Sequence, residues 1–327
     1  MHATWASFDG DLDGPFSEIQ RMVRSGGKRL RPAFCYWGFV GAGGDPDDER
    51  IVRVGAAFEL MHAFALFHDD VMDDSASRRG VPTTHARYAE THCREGWAGE
   101  SRRFGEGVAI LVGDLAFVLS DQLMVDLPAE VWTLWNELRI ELNVGQLLDL
   151  LGSVRSDRRL DKAERIARYK SGKYTIERPL HVGAVLASPE RGLALVPGLS
   201  RYGLPLGDAF QMRDDVIGAF GDTAVTGKPV GDDLREGKPT SLLARAVALA
   251  DPAQREVLAR VGRPGLGDDE IAEIQQVIID TGALDALEER IAALAAEAVA
   301  ALDDVAITPE ARDELRALAD YVVARVD

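Results

Sequence analysis

Apolar residues recur at helical spacing along almost the whole chain. In VGAAFELMHAFALFH (54–68) they fall at 54, 57, 58, 61, 64 and 65, which predicts a helix buried on most of its surface. GVAILVGDLAFVLSDQLMVDL, VWTLWNELRIELNVGQLLDLLG and AERIARYKSGKYTIERPLHVGAVLA carry the same pattern, and the alanine-rich tail 283–304 is the most regular of all. No sustained alternation bounded by hairpin turns occurs. Glycine and proline instead punctuate the gaps between helical stretches, at GAGGDPDD (41–48), REGWAGE (94–100), ASPERG (187–192) and FGDTAVTGKPVGDDLREGKPT (220–240). The last is too long and too glycine-rich for a simple connector, and long loops in compact domains are usually functional or disordered. No linker divides the chain. The expected fold is all-α, a single domain over residues 1–327 built as a helical bundle.

Composition supports this picture. Aromatics make up only 7% of 327 residues and alanine is plentiful, which leans helical. The formal charge of −17 argues against a sequence-independent grip on nucleic acid or anionic lipid. Cys35 and Cys93 have neither a CxxC partner nor a histidine at zinc spacing, so reduced thiols in a cytoplasmic protein are expected. The N-terminus lacks the basic-then-apolar pattern of a signal peptide. No transmembrane segment is expected, because the apolar runs 54–68 and 107–120 are interrupted by Glu59, His62 and Asp114.

The pattern breaks most sharply at HDDVMDDS (68–75), where Asp69, Asp70, Asp73 and Asp74 follow an almost wholly apolar segment. Their mutual repulsion is unfavourable unless something positive sits between them. At a helix end, residues at i, i+3 and i+4 share a face, so Asp69, Asp70 and Asp73 can point into one cavity. Oxygen ligands without His or Cys select Mg²⁺ or Mn²⁺, and Mg²⁺ takes one or two carboxylates with waters and substrate phosphates. An exposed acidic helix end is the plainer alternative. A near-echo, RDDVIGAFGD (213–222), shifts the balance. It places Asp214 and Asp215 after a second apolar segment, and the two helix ends could hold metal from both sides of one cavity.

Basic residues fall where a phosphate would need them. GGKRLRP (26–32) packs Lys28, Arg29 and Arg31 behind two glycines, which let backbone N–H groups approach an anion while arginine offers a planar fork. Arg78 and Arg79 follow the first acidic cluster, Lys170 lies in YKSGKYT, and Lys228 and Lys238 lie in the long glycine-rich loop. Other chemistries are disfavoured. Glu59-x-x-His62 has the spacing of half a di-iron carboxylate site, but a second ExxH is missing. Dinucleotide, P-loop and nucleophile-elbow signatures are absent.

GGKRLRP, EL-x-H, HDDVMD with RRG, GD (113–114), KSG (170–172), FQMRDD (210–215) and GK…GDDLREGKPT occur in that order over residues 26–240. The series resembles the trans-isoprenyl diphosphate synthases, or polyprenyl synthetases, most like the short-chain geranylgeranyl and farnesyl diphosphate synthases. The resemblance implies an isoprenoid synthase fold around a deep central cavity, a homodimer and bound Mg²⁺. It implies that isopentenyl diphosphate is condensed with an allylic diphosphate (dimethylallyl, geranyl or farnesyl). By the same resemblance Asp69, Asp70, Asp73, Asp214 and Asp215 hold the metals, and Arg78, Lys170, Lys228 and Lys238 bind the allylic diphosphate. Lys28, Arg31, His62 and Arg79 form the isopentenyl diphosphate pocket, and Gln211 sits near the allylic cation. One departure stands out: the second motif usually ends in a third aspartate, but here the position is Gly218, with Asp222 one helical turn further on.

Product length in such enzymes is set by a bulky residue that blocks the tunnel. Phe64 lies five residues before Asp69, and the small Ala65 lies four before. By resemblance, aromatics at both places favour a fifteen-carbon product, and a single Phe at the fifth suggests twenty carbons. Geranylgeranyl diphosphate is therefore expected, with farnesyl diphosphate the alternative. Plain core packing of Phe64 is compatible with that role. A class I terpene cyclase would share the helices, the DDxxD and Mg²⁺ but not FQMRDD and GGKRLRP. A non-catalytic partner subunit could dispense with the aspartates present here.

Overall fold

The computed structural model describes residues 7–78, 80–221 and 230–325. Within them the chain is all-α apart from one two-residue ladder. In chain order the helices are α1 (Asp13–Arg24), α2 (Leu30–Gly41) and α3 (Glu49–Met72), followed by strands β1 (Ser77–Arg78) and β2 (Val81–Pro82). Then come α4 (Thr84–Glu95), α5 (Ser101–Met124), α6 (Ala129–Val154), α7 (Leu160–Ala167), a π-helix (Arg168–Glu177), α8 (Arg178–Ala187) and α9 (Pro189–Phe220). The remainder comprises α10 (Asp232–Glu236), α11 (Ser241–Leu249), α12 (Pro252–Leu258), α13 (Asp268–Asp280), α14 (Ala283–Ala301) and α15 (Pro309–Ala324). Local chemistry sets several starts. Ser188 caps α9 ahead of Pro189, Thr308 caps α15 ahead of Pro309, and Asp251 with Gln254 forms a capping box on α12.

The chain forms two compact units, one of Met1–Pro32 with Val52–Asp126 and one of Ala33–Ile51 with Leu127–Asp327. In the first, α5 packs against α1 and α4, and the apolar stripe of α3 contributes Ala63 and Phe67 to a core with Ile19, Met22, Val112 and Ala116. In the second, α9 is the axis: α14, the π-helix and α8 pack along it. Its end joins Leu234, Leu242, Ile274, Leu287 and Ile291 in a large core. The buried Tyr202 donates from its hydroxyl to the Leu315 carbonyl at 2.7 Å, tying α9 to α15.

The run AERIARYKSGKYTIERPLHVGAVLA, which reads as one helical pattern, divides into α7, the π-helix and α8. Close packing accompanies the wide turns. A Cβ on Gly172 would stand 2.9 Å from the Gly207 carbonyl carbon, and one on Gly145 would stand 2.4 Å from the Lys170 amide nitrogen. Backbones meet there without side chains between them.

By length and composition, α3 and α5 would each suffice to cross a membrane. Both also carry the polar interruptions anticipated at Glu59, His62 and Asp114, and each gives one face to the first unit's core.

Candidate active site

The first acidic cluster owes its shape to how α3 stops. Asp74 takes a left-handed conformation (φ 53°). The Ser75 amide then bonds to the Asp70 carbonyl at 3.0 Å and the Asp74 amide to the Val71 carbonyl at 3.4 Å. This is a Schellman stop with aspartate where glycine is usual. Asp74 therefore ends the helix, while Asp69 and Asp70 stay on its last turn and Asp73 begins the turn beyond. The chain reverses through the β1–β2 ladder, with Arg78 opposite Val81. That places Arg78 back over the helix end, where its Nε donates to Asp70 Oδ1 at 2.6 Å and its Nη2 to Asp69 Oδ2 at 3.4 Å.

Asp70 is only 1% exposed. Burial pushes its carboxyl above the usual range, Arg78 opposes that shift, and Asp69 adds to it. Burial works against the Arg78 charge, yet Asp70, Asp69 and Asp73 together hold its guanidinium above its ordinary value. The decisive atom is Asp70 Oδ2, which is buried without a hydrogen-bond partner. A buried carboxylate oxygen left without a donor is costly. A hard cation beside Asp69 and Asp73 would satisfy it. Among the described residues no three His, Cys, Asp or Glu side chains close around an ion by themselves. Mg²⁺ keeps waters and substrate phosphates in its shell and takes one or two carboxylates.

In the same unit, GGKRLRP opens with Gly26 (φ 96°) and Gly27 (φ 121°), backbone that L-residues rarely adopt. Arg29 ion-pairs with Glu59 of α3 and donates to the Val23 carbonyl, which fixes the loop. Glu59 is thereby a structural partner, consistent with the missing second ExxH. Lys28 and Arg31 remain partly exposed beside it, and His62 is half-buried on α3. Phe64 meets His68 at 4.7 Å and Phe117 at 4.8 Å between ring centroids, and Ala65 is half-buried beside it. His68 is held by the Ile110 carbonyl at 3.1 Å. Arg79, Lys228 and Asp222 lie outside the described residues.

The second acidic pair sits on the last turns of α9. Gln211 Nε2 donates to Asp215 Oδ1 at 3.0 Å, one helical turn away, and the Ser241 amide at the start of α11 donates to Asp215 Oδ2 at 2.8 Å. Asp215 is fully enclosed. Burial pushes its carboxyl up to about 8, and the charges of Asp233 and Asp214 push the same way against the two donors. Asp214 accepts from Arg325 Nη2 at 2.6 Å. Arg325 also donates to the Phe210 carbonyl and covers the Phe210 ring, 4.0 Å from its centroid. Lys238 contacts Glu236 at 2.6 Å and Asp233 at 3.5 Å.

Lys170, in the π-helix, pairs with Asp149 of α6 at 2.5 Å. π-Helical turns recur at functional sites because they re-aim side chains. Sequence reasoning missed Asp149 and Arg325, since each is joined to its partner only by the fold. In LLDLLG, a lone acid within an apolar helical run was the only available signal for Asp149.

Expected site residues thus gather in three described groups: Asp69, Asp70 and Arg78; Gln211, Asp214 and Asp215; and Lys170 with Asp149. Comparison with known proteins adds to this. A family model described as polyprenyl synthetase matches residues 16–278. The geranylfarnesyl diphosphate synthase of Aeropyrum pernix is 33% identical over 315 residues, covering 93% of this chain and 92% of that protein. The geranylgeranyl diphosphate synthase of Mycobacterium tuberculosis is 34% identical, covering 88% and 77%. A geranylgeranyl pyrophosphate synthase from Corynebacterium glutamicum, solved with isoprenyl diphosphate and magnesium, superposes with a TM-score of 0.92. It is 38% identical over 99% of this chain and 94% of its own.

Proposed function

The chain belongs to the polyprenyl synthetase family and is an isoprenyl diphosphate synthase, a prenyltransferase, and from that premise we propose that it condenses isopentenyl diphosphate with an allylic diphosphate to make geranylgeranyl diphosphate. Its all-α architecture is the isoprenoid synthase fold. The observation that carries the proposal is the unsatisfied Asp70 Oδ2 beside Asp69 and Arg78, an oxygen that a cation would satisfy where an anion-binding guanidinium also stands.

In this reading Asp69, Asp70, Asp73, Asp214 and Asp215 hold Mg²⁺. When bound, the metal neutralises the allylic diphosphate and turns it into a leaving group. Arg78, Lys170, Lys228 and Lys238 meet the diphosphate oxygens, where they stabilise charge that grows as the C–O bond ionises. Lys28, Arg31, His62 and Arg79 hold isopentenyl diphosphate so that its double bond attacks the allylic cation. The proton then lost passes to the released pyrophosphate. Gln211, oriented by Asp215, places its amide oxygen near the cation. The apolar helix before Asp69 excludes water, which would otherwise quench the cation.

The twenty-carbon product is supported by Phe64, whose contact with Phe117 makes an aromatic floor. Relatives at similar identity carry names of both twenty- and twenty-five-carbon synthases, so this chain's own side chains must decide. Farnesyl diphosphate is the second reading.

The proposal includes one catalytic domain, a cytoplasmic location in keeping with two unpaired cysteines, and a homodimer. The dimer is supported by Ile140, Val144, Leu147, Leu151 and Val154, an exposed apolar stripe along α6. Light scattering tests it: a mass near twice 35.5 kDa is expected, and a monomer would refute it. For catalysis, Asp69→Ala should lower turnover by at least about 10²-fold. Unchanged turnover would reduce the acidic cluster to a solvated helix end.

A further inference from the structure

Glu18 of α1 is 3% exposed, as buried as the apolar Ile19 and Met22 of the same helix. An acid in such a place is costly unless it is paired. Its carboxylate gathers three partners. Arg21, one turn on, donates to Glu18 Oε2 from Nη2 at 2.5 Å and from Nε at 3.2 Å. Thr84 Oγ1, at the first position of α4, donates to the same oxygen at 2.8 Å. Arg87, one turn further along α4, ion-pairs with Oε1. Arg21 Nη2 also donates to Thr84 Oγ1 at 3.3 Å, and Thr84 is itself buried. The network ties the start of α4 to α1.

The start of α4 is also where the reversal that carries Arg78 ends. Thr83 closes the base of that reversal. Its amide donates to the Ala76 carbonyl at 3.1 Å and its hydroxyl to the Ser75 carbonyl at 2.8 Å. Between these ends the ladder sets Arg78 opposite Val81, and Arg78 reaches back to Asp70. The stop of α3 fixes one end of the reversal, so α4 must fix the other. We propose that Glu18 is a positioning residue for Arg78, acting through Thr84 and Thr83. The proposal rests on the reading of Arg78 as a diphosphate ligand and goes beyond it, because Glu18 belongs to none of the sequence motifs. Replacing a buried ion network by apolar residues often costs no stability, so the charge here is better explained by the single arrangement it specifies. The network also faces the acidic cluster. Burial lowers the pKa of Arg21, and the Asp70 carboxylate is the strongest influence opposing that shift.

The test is a mutant cycle read by calorimetry of inorganic pyrophosphate binding to the full chain in Mg²⁺, with the thermal midpoint as the folding control. Arg78→Ala measures what the guanidinium contributes. Glu18→Gln should weaken pyrophosphate about 10-fold, because Arg78 drifts from a charge-assisted bond. Thr84→Val keeps the shape and removes the hydroxyl; it should act in the same direction, and it carries the test where Glu18→Gln fails to fold. Thr84→Ser should bind like wild type. Once Arg78 is replaced by alanine, Glu18→Gln should weaken binding no further, to within about twofold. A residue that only stabilises the fold would lower the midpoint without this dependence on Arg78. Wild-type affinity in both Glu18→Gln and Thr84→Val, an equal loss with and without Arg78, or no pyrophosphate binding by wild type would each overturn the assignment. Condensation is assayed separately. A cycle that depends on Arg78 without condensation removes only the synthase reading, and an additive cycle with intact condensation removes only the role of Glu18.

Discussion

Removing the aromatic floor should lengthen the product, and the structure allows the effect to be sized. Phe64 lies on α3 five residues before Asp69, about 7.5 Å along the axis, and its ring rests on Phe117 at 4.8 Å. One turn deeper is Leu60, which with Phe16, Ile19, Gln20, Val23, Arg24 and Leu119 lines a cavity of about 280 Å³. A dry apolar cavity of about 150 Å³ already admits benzene, so there is room for a further five-carbon unit. Burying five carbons contributes about 4 kcal/mol at roughly 0.8 kcal/mol per methylene. The aromatic contact that Phe64→Ala removes is worth about 0.5–1.5 kcal/mol. Once the ring is gone, a prenyl chain that reached this cavity would gain by extending into it. Products of Phe64→Ala, dephosphorylated and sized by liquid chromatography with mass detection, should be at least one isoprene unit longer than those of wild type. Early condensations should proceed at rates within a fewfold of wild type. Phe117→Ala should act in the same direction. Unchanged product length in both variants, with both still folded, would refute the floor.

Asp70→Asn should keep the helical circular dichroism spectrum but lose condensation by about 10²-fold or more; full activity would mean that the orphaned oxygen holds no metal. Gly145→Ala forces a methyl to 2.4 Å from the Lys170 amide nitrogen, and overpacking of this kind costs about 1–3 kcal/mol. It should lower both the thermal midpoint and turnover, and an unchanged midpoint would show that the crossing can relax. Chelation should abolish turnover reversibly while leaving the helical spectrum intact, because the cores are apolar; activity surviving chelation would refute metal dependence. His181 is buried against Ser200 at 3.1 Å, and burial, with Arg178 and Lys173 nearby, lowers its pKa to about 3. The unfolded chain takes up that proton near pH 6.5 and the folded chain does not. Stability should therefore fall as pH drops from about 6.5 towards 3, by up to about 1.4 kcal/mol per pH unit. Urea midpoints of wild type and His181→Gln should diverge below pH 6.5, and parallel curves would contradict this.

What could be read from the sequence was local. The apolar run 54–68 lies within α3, and the aspartates that interrupt the pattern do end that helix. Asp74, indistinguishable from its neighbours in HDDVMDDS, proves to be the left-handed stop. The π-helix escaped notice because 3.6- and wider-turn helices draw on the same apolar residues. Gly145 and Gly207, distant in sequence, pack against its backbone there. Partners that meet only through the fold were equally hidden: Arg29 with Glu59, Lys170 with Asp149, and Arg325 with Asp214. Gly218 reads as a gap in a motif, and only the fold shows that the Asp233 carboxylate lies against its backbone.

The central claim is condensation, and product analysis tests it most directly. Purified protein would be incubated with Mg²⁺, labelled isopentenyl diphosphate and, in turn, dimethylallyl, geranyl or farnesyl diphosphate. The account predicts label in a single prenyl diphosphate of twenty carbons. A hydrocarbon released from the allylic substrate alone, with no label incorporated, would contradict it and put a cyclase in its place.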